Sequence, residues 1–113
     1  MRKTDKKIDK QLRDTLNELC ESTLKSLDGF LWVTHIVNFS SFPQSLKIVC
    51  VFETNQQLVQ FIDGQEHKAI KQLMGQRLSQ VGVHLKMVEK HLLFDSQENC
   101  DRDDQGKWER RLK

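Results

Sequence analysis

The hydrophobic residues of the first part of the chain recur at helical spacing. Apolar positions follow one another in steps of three and four residues from Ile8 to Leu27, which lays a single stripe along a helix. The pattern predicts an amphipathic helix of about five turns. We expect it to end at Gly29, because glycine adopts the left-handed conformation of a helix end without strain.

Two strands are predicted next. Residues 30–39, FLWVTHIVNF, are rich in aromatic and β-branched side chains, and residues 46–54, LKIVCVFET, alternate between two faces. The short connection around Pro43 favours an antiparallel hairpin. The inward set of the second strand is Leu46, Ile48, Cys50 and Phe52, and the outward, partly wet set is Lys47, Val49, Val51 and Glu53.

A helical region with one interruption follows. Thr54 and Gln57 have the spacing of a capping box and therefore start a helix. Gly64 marks a junction between two helices, because glycine costs about 1 kcal/mol inside a helix. The second helix is closed by Gly82, and residues 83–95 are predicted as a strand with a bulge where its alternation breaks. The expected fold is α+β, in the order helix, strand, strand, helix, helix, strand, with a three-stranded sheet and helices on one face.

Length and composition set the domain organisation. A chain of 113 residues that is 37% hydrophobic supports one core. We expect a single domain over residues 1–96. Residues 97–113 are densely charged with both signs, which predicts a flexible tail that forms no core of its own.

The sequence also bounds the compartment. No apolar run approaches the roughly 20 residues of a membrane span, and the first residues, MRKTDKKIDK, contain no apolar block typical of a signal peptide. Cys20, Cys50 and Cys100 are odd in number and form no CxxC pair, which favours reduced thiols. The expected location is the cytoplasm, without membrane contact.

Positive charge is unevenly distributed although the net charge is only +2. Phosphate contacts made by such cations give affinity that falls steeply with salt and carries no sequence choice. The alternative is a solvated helix face, which the interleaved acids Asp9, Asp14 and Glu18 favour. The candidate nucleic-acid contacts are Arg2, Lys3, Lys6, Lys7, Lys10 and Arg13 near the N-terminus and Lys68, Lys71 and Arg77 on the third helix.

Aromatic residues supply further candidates. Phe30 and Trp32 are assigned to the same strand face, where they would either stack bases, as in sheet-based RNA readers, or pack in the core. Trp108 lies among cations in QGKWERRLK. It is either an anchor for a protein partner or a side chain that folds onto the domain's own surface.

The element order resembles that of type II KH-like domains and, within them, the family of ribosome-binding factor A. The likeness spans about residues 10–96. It lies in the leading helix, the hairpin strand LKIVCVF, the interrupted helical pair and the closing stretch AIKQLMGQRLSQVGVHLKMVEKHLLFD. It implies a bacterial, non-catalytic protein that associates with RNA or with the small ribosomal subunit.

The resemblance departs from the KH pattern at the turn between the two helices. A GxxG turn there brings backbone amides to nucleic-acid phosphates. Residues 64–67 read Gly-Gln-Glu-His and keep only the first glycine, and Glu66 places a negative charge where a phosphate would bind. The resemblance therefore transfers the contact to basic helix faces, which requires a continuous positive surface joining Lys6, Lys10 and Lys68.

Catalytic chemistry has little support in the sequence. The histidines and cysteines show no metal-ligand spacing and no serine occupies a nucleophile elbow, so we expect no enzyme, no cofactor and no metal. A Cys50 and His35 pair across the hairpin is conceivable, but an inert buried thiol is the default.

Two other classes of function stay open. The helix, glycine turn and helix within residues 56–86 resemble DNA-binding regulators of the Fis type, although the flanking strands and the apolar second helix argue against this. A protein-interaction module would use Val49 and Val51 of the outer sheet face, or Trp108. The sequence sets no oligomeric state.

Overall fold

The computed structural model describes residues 2–112 and has an α+β fold, which confirms the predicted class. Five α-helices and three strands occur in this part of the chain, joined in places by short 3₁₀ turns at Leu24–Ser26, Phe39–Ser41 and Val88–Lys90. The elements are α1 (Lys3–Ser22), β1 (Phe30–Ile36), β2 (Lys47–Phe52), α2 (Asn55–Asp63), α3 (Glu66–Gln80), β3 (Leu92–Ser96), α4 (Gln97–Asp104) and α5 (Trp108–Arg111).

The sheet is mixed and has the order β1-β2-β3. β1 and β2 form the antiparallel hairpin, with Val33 opposite Cys50. β3 pairs in parallel with β2 and places Phe94 beside Cys50. Parallel neighbours need a long crossover connection, which α2 and α3 provide.

The core lies between the inward face of the sheet and α1, α2 and α3. The predicted inward set of β2 is buried, and the stripe of α1 contributes Leu12, Leu16 and Leu19. The predicted end of α1 was wrong, because the α-helix stops at Ser22 and a 3₁₀ turn follows. Gly29 instead has a φ of +78° in the turn immediately before β1.

The connection between β2 and α3 agrees with the sequence pattern. Thr54 Oγ1 accepts from the amide of Gln57 at 3.2 Å, and Gln57 Oε1 accepts from the amide of Thr54 at 3.2 Å, so the capping box is confirmed. Gly64 is the junction between α2 and α3. Its φ is −89°, and an added Cβ would lie 3.1 Å from the carbonyl oxygen of Gln60. Close backbone approach therefore explains this glycine.

The outward face of the sheet is covered, contrary to the prediction. Val49 and Val51 are fully buried. The C-terminal residues supply the cover, because Trp108 of α5 packs on Trp32 of β1 and Leu112 lines a cleft with Val49. The prediction of helices on one face only was therefore wrong. The residues after 96, predicted as a flexible charged tail, contain α4 and α5 and contact the sheet. The density of charged residues had suggested a tail. In the structure Arg111 pairs with Asp104 of the same segment and with Asp95 of β3.

The third strand is shorter than predicted. Only Leu92–Ser96 pair with β2, and residues 83–91 form a connection that contains the Val88–Lys90 turn. The physical reason is the length of the partner, because β2 begins at Lys47 and offers no ladder before that residue. His91 Nδ1 contacts the carbonyl oxygen of Leu46 at 2.7 Å, just before the pairing of β2 and β3 begins.

A change of register in β1 separates the two aromatic residues that were assigned to one face. The pairing shifts between Phe30 and Trp32. Phe30 therefore joins the core cluster and contacts Phe52 at 6.0 Å between ring centroids. Trp32 points to the opposite face, where it meets Trp108. The predicted shared face was wrong because one extra residue in a strand reverses all the side chains that follow.

Within residues 2–112, no helix combines the length and the apolar character that crossing a lipid bilayer would require.

Candidate functional site

The first turns of α1 carry a concentrated positive surface. Arg2, Lys3, Lys6 and Lys7 are all exposed, and none of them makes an ion pair within 4.0 Å among residues 2–112. We call these four residues the basic turn. Asp5 lies between them and accepts a hydrogen bond from the amide of Arg2 at 3.3 Å, which caps the helix start.

The acids that follow on α1 already have partners. Asp9 contacts Arg13 at 3.3 Å and accepts at 2.8 Å from Nε2 of His35 on β1. Asp14 pairs with Lys10 at 2.8 Å. These carboxylates therefore neutralise their own neighbours and leave the basic turn uncompensated.

The second predicted patch does not meet the first. Arg77 of α3 pairs with Glu18 of α1 at 2.5 Å, so this cation serves helix packing. Lys68 lies about 13 Å along α3 from Arg77, toward the end of the domain where Glu66 lines a cavity with Leu27 and Asp28.

The basic turn lies at the end of the domain away from Lys68. Lys6 is about 18 Å along α1 from Glu18, toward the start of the helix. Lys68 and the half-buried Lys71 therefore lie at the opposite end of the domain from Lys6 and Lys10. The predicted continuous positive surface joining Lys6, Lys10 and Lys68 was therefore wrong, and a phosphate contact would be confined to one of two separate patches.

The turn at Gly64 is built from packing contacts. The ring of His67 lies 5.4 Å from that of Phe61 and 5.1 Å from that of Phe94. Desolvation, together with the charge of Lys71, lowers the pKa of His67 below its usual value. A neutral imidazole in an aromatic cluster supports the α2–α3 junction and offers no cation to a phosphate.

The C-terminal segment brings charges together in a way that the sequence reading missed. Nε of Arg111 donates to Asp95 Oδ2 at 2.5 Å and Nη2 donates to Asp95 Oδ1 at 3.1 Å, so the pairing is bidentate. Nη1 donates to Asp104 at 3.0 Å. The indole Nε1–H of Trp108 donates to Gln97 Oε1 at 3.0 Å. Alternating acids and arginines near a tryptophan were the available signal, but they do not specify which pairs form.

The thiol and imidazole that were considered for catalysis are apart. His35 is engaged by Asp9, whereas Cys50 lies opposite Val33 and is 1% exposed. Burial raises the pKa of Cys50 to about 12, so the thiolate is absent at neutral pH. Among residues 2–112, no three His, Cys, Asp or Glu side chains are grouped so that they could hold a metal ion.

The described chain is a small α+β domain with four exposed cations, free of recorded ion pairs, at the start of α1. Comparison with known protein families, curated proteins and solved structures finds no match to this chain.

Proposed function

We propose that this protein is a non-catalytic RNA-binding domain that contacts phosphates through the basic turn and associates with the small ribosomal subunit. The observation that carries the proposal is the set of four exposed cations within six residues, Arg2, Lys3, Lys6 and Lys7, with no ion-pair partner among residues 2–112. Cations of this kind release counterions when they bind phosphates, which gives affinity without base recognition.

Helix stability does not account for this charge. The N-terminal end of a helix is electropositive, and a cation in the first turn is unfavourable by about 0.3–1 kcal/mol. Lys3 and Lys6 therefore oppose the helix dipole, and Asp5 is the acid of the first turn that complements it. A contact with an anionic partner gives these lysines a role that folding does not.

The topology supports the same proposal. Residues 3–96 run helix, strand, strand, helix, helix, strand, with the crossover through α2 and α3 leading to a strand parallel to β2. This is the arrangement that the resemblance to type II KH-like domains and the ribosome-binding factor A family implies. The basic turn takes the place of a GxxG contact, because Glu66 and the packed His67 make the Gly64 turn unsuited to phosphate.

The test compares two double variants of equal charge. K6Q/K7Q removes two cations of the basic turn, and K25Q/K90Q removes two exposed lysines from elsewhere on the surface. Affinity for a fluorescein-labelled 20-nucleotide poly(U) is measured by anisotropy over a series of salt concentrations. For single strands each phosphate contact contributes about −0.7 to the slope of log K against log salt. We expect K6Q/K7Q to make the slope shallower by about 1.4 and the control pair to leave it unchanged.

Sedimentation of cell lysates tests the ribosomal part separately. Comigration of the wild-type protein with the small subunit, lost as salt is raised and lost in K6Q/K7Q, supports the proposal. Equal slopes for the two double variants would refute the basic turn as the contact. Wild-type protein that stays at the top of the gradient at low salt would refute ribosome association.

A further inference from the structure

The C-terminal residues Gln105 to Leu112 lie across the outward face of the sheet, and we call them the strap. The strap contains the single turn of α5 and returns the chain from α4 to β1 and β3. It lies over Trp32 and Val49 and borders the partly exposed Leu93. The strap is attached by an ion pair and an aromatic contact, whereas the rest of the domain is held by a buried apolar core.

Two side chains hold the strap. Arg111 binds Asp95 of β3 through two hydrogen bonds and also reaches Asp104 of α4. Trp108 meets Trp32 edge to face, with 4.9 Å between ring centroids. The side chains of Arg111 and Asp95 are 21% and 18% exposed, so solvent and salt reach this ion pair.

The strap has few further contacts: the indole Nε1–H of Trp108 donates to Gln97 Oε1 at 3.0 Å, and Leu112 lines a cleft with Val49. α5 contains no buried residue, and an isolated helix of four residues is far below the length that is stable in water. An open surface cleft of about 410 Å³ borders the strap and is lined by Val49, Leu93, Arg110 and Leu112 among others. Solvent therefore reaches one side of the strap.

The strap leaves α4 at a hydrogen-bonded helix end, where the amide of Gly106 donates to the carbonyl oxygen of Cys100 at 3.1 Å and that of Lys107 to Asp104 at 3.0 Å. Gln105 and Gly106 have φ values of +56° and +78°, two successive left-handed residues between α4 and α5. Before this point the chain is firmly held, because Cys100 is fully buried and Glu98 Oε1 accepts from the amide of Asn55 at 2.9 Å. Opening of the chain beyond this helix end would therefore leave α4 in place.

We propose that the strap is a displaceable cover that opens as a unit, through loss of the Arg111 ion pairs, while the domain stays folded. Opening exposes the apolar face formed by Trp32, Val49 and Leu93. The proposal goes beyond the RNA contact and does not depend on it, since none of the basic turn belongs to the strap.

Hydrogen exchange of the full-length protein tests the cover. The informative amides are those of Arg110 and Leu112, which donate to Lys107 and Trp108, and the reference amides are those of β2. R111Q removes the ion pairs of Arg111. R110Q is its matched control, because Arg110 is exposed and has no ion pair among residues 2–112. We expect R111Q to speed exchange of the strap amides at least about tenfold, with β2 unchanged and R110Q like wild type.

A second measurement keeps the test decisive if R111Q folds poorly. In the wild-type protein, raising salt from low to high concentration screens the partly exposed ion pair, so strap exchange should accelerate while β2 exchange does not. Acrylamide quenching of the two tryptophans should rise in parallel. The proposal is overturned if strap and β2 amides exchange at one common rate, or if R111Q and R110Q behave alike.

Discussion

Gly29 offers a sharp test of how the turn before β1 is coupled to the start of α2. Its φ of +78° is a conformation that costs a residue with a side chain about 1–2 kcal/mol. A Cβ at this position would also lie 2.1 Å from Oε1 of Gln57. Moving that oxygen aside breaks the hydrogen bonds it accepts from the amide and the hydroxyl of Thr54 at 3.2 and 3.1 Å.

The cost of Gly29→Ala is therefore the sum of two effects. The left-handed backbone contributes about 1–2 kcal/mol, and displacing the Gln57 side chain from its capping bonds contributes about 1 kcal/mol more. Gly82→Ala is the matched control, since Gly82 has a φ of +85° and no described atom within 4 Å of an added Cβ. We expect Gly29→Ala to lower the free energy of unfolding by about 1 kcal/mol more than Gly82→Ala.

Urea unfolding followed by circular dichroism measures both variants, and a third comparison isolates the cause. In a Gln57→Ala background the clash is absent, so Gly29→Ala should then cost only as much as Gly82→Ala. A loss that stays equally large without Gln57, or equal losses for the two glycine variants in the wild-type background, would refute the coupling. The same urea series reports whether the m-value is unchanged, which is required for a comparison of stabilities.

Two further predictions concern titratable groups. Cys20 is partly exposed, whereas burial raises the pKa of Cys50 to about 12; iodoacetamide at pH 8 should therefore modify Cys20 first, and equal rates by mass spectrometry would contradict the burial. Desolvation by itself raises the pKa of Asp95, but hydrogen bonds, led by those from Arg111, bring it below the usual value. Its stabilising effect is thus present above about pH 3.9 and lost as pH falls through the lowered value. Tryptophan fluorescence should report this acid transition, and an unchanged transition in Asp95→Asn would exclude Asp95 as its origin.

Local sequence signals accounted for the elements that local chemistry determines. The spacing of Thr54 and Gln57 located the start of α2, and Gly64 located its end, because caps and helix interruptions depend on neighbours along the chain. The alternation of residues 46–52 gave the inward face of β2 for the same reason. These features follow from local patterns and need no knowledge of distant contacts.

The wrong predictions all concern features that depend on contacts between residues far apart in the sequence. The irregularity between Phe30 and Trp32 has no local signature, yet it decides which aromatic residue enters the core. The helices after residue 96 are polar along their length and become stable through Cys100, Trp108 and Arg111, whose partners lie elsewhere in the fold. The charged composition of residues 97–113 predicts a tail when it is considered alone. Residues 97–112 instead contact the sheet, because Asp95 of β3 supplies a carboxylate for Arg111.

The structure shows which charged residues form ion pairs, which the sequence alone could not, and this bears on function. In the sequence, the interleaved acids of α1 favoured a solvated helix face, and the cations around Trp108 left open whether this residue binds a partner or the domain's own surface. The structure gives Asp9 and Asp14 local partners and ties Arg111 to Asp95. Ion pairs therefore occur in the middle of α1 and in the strap, whereas the cations of the basic turn form none among the described residues. The RNA contact proposed above therefore predicts that phosphates approach the start of α1 and not the strap.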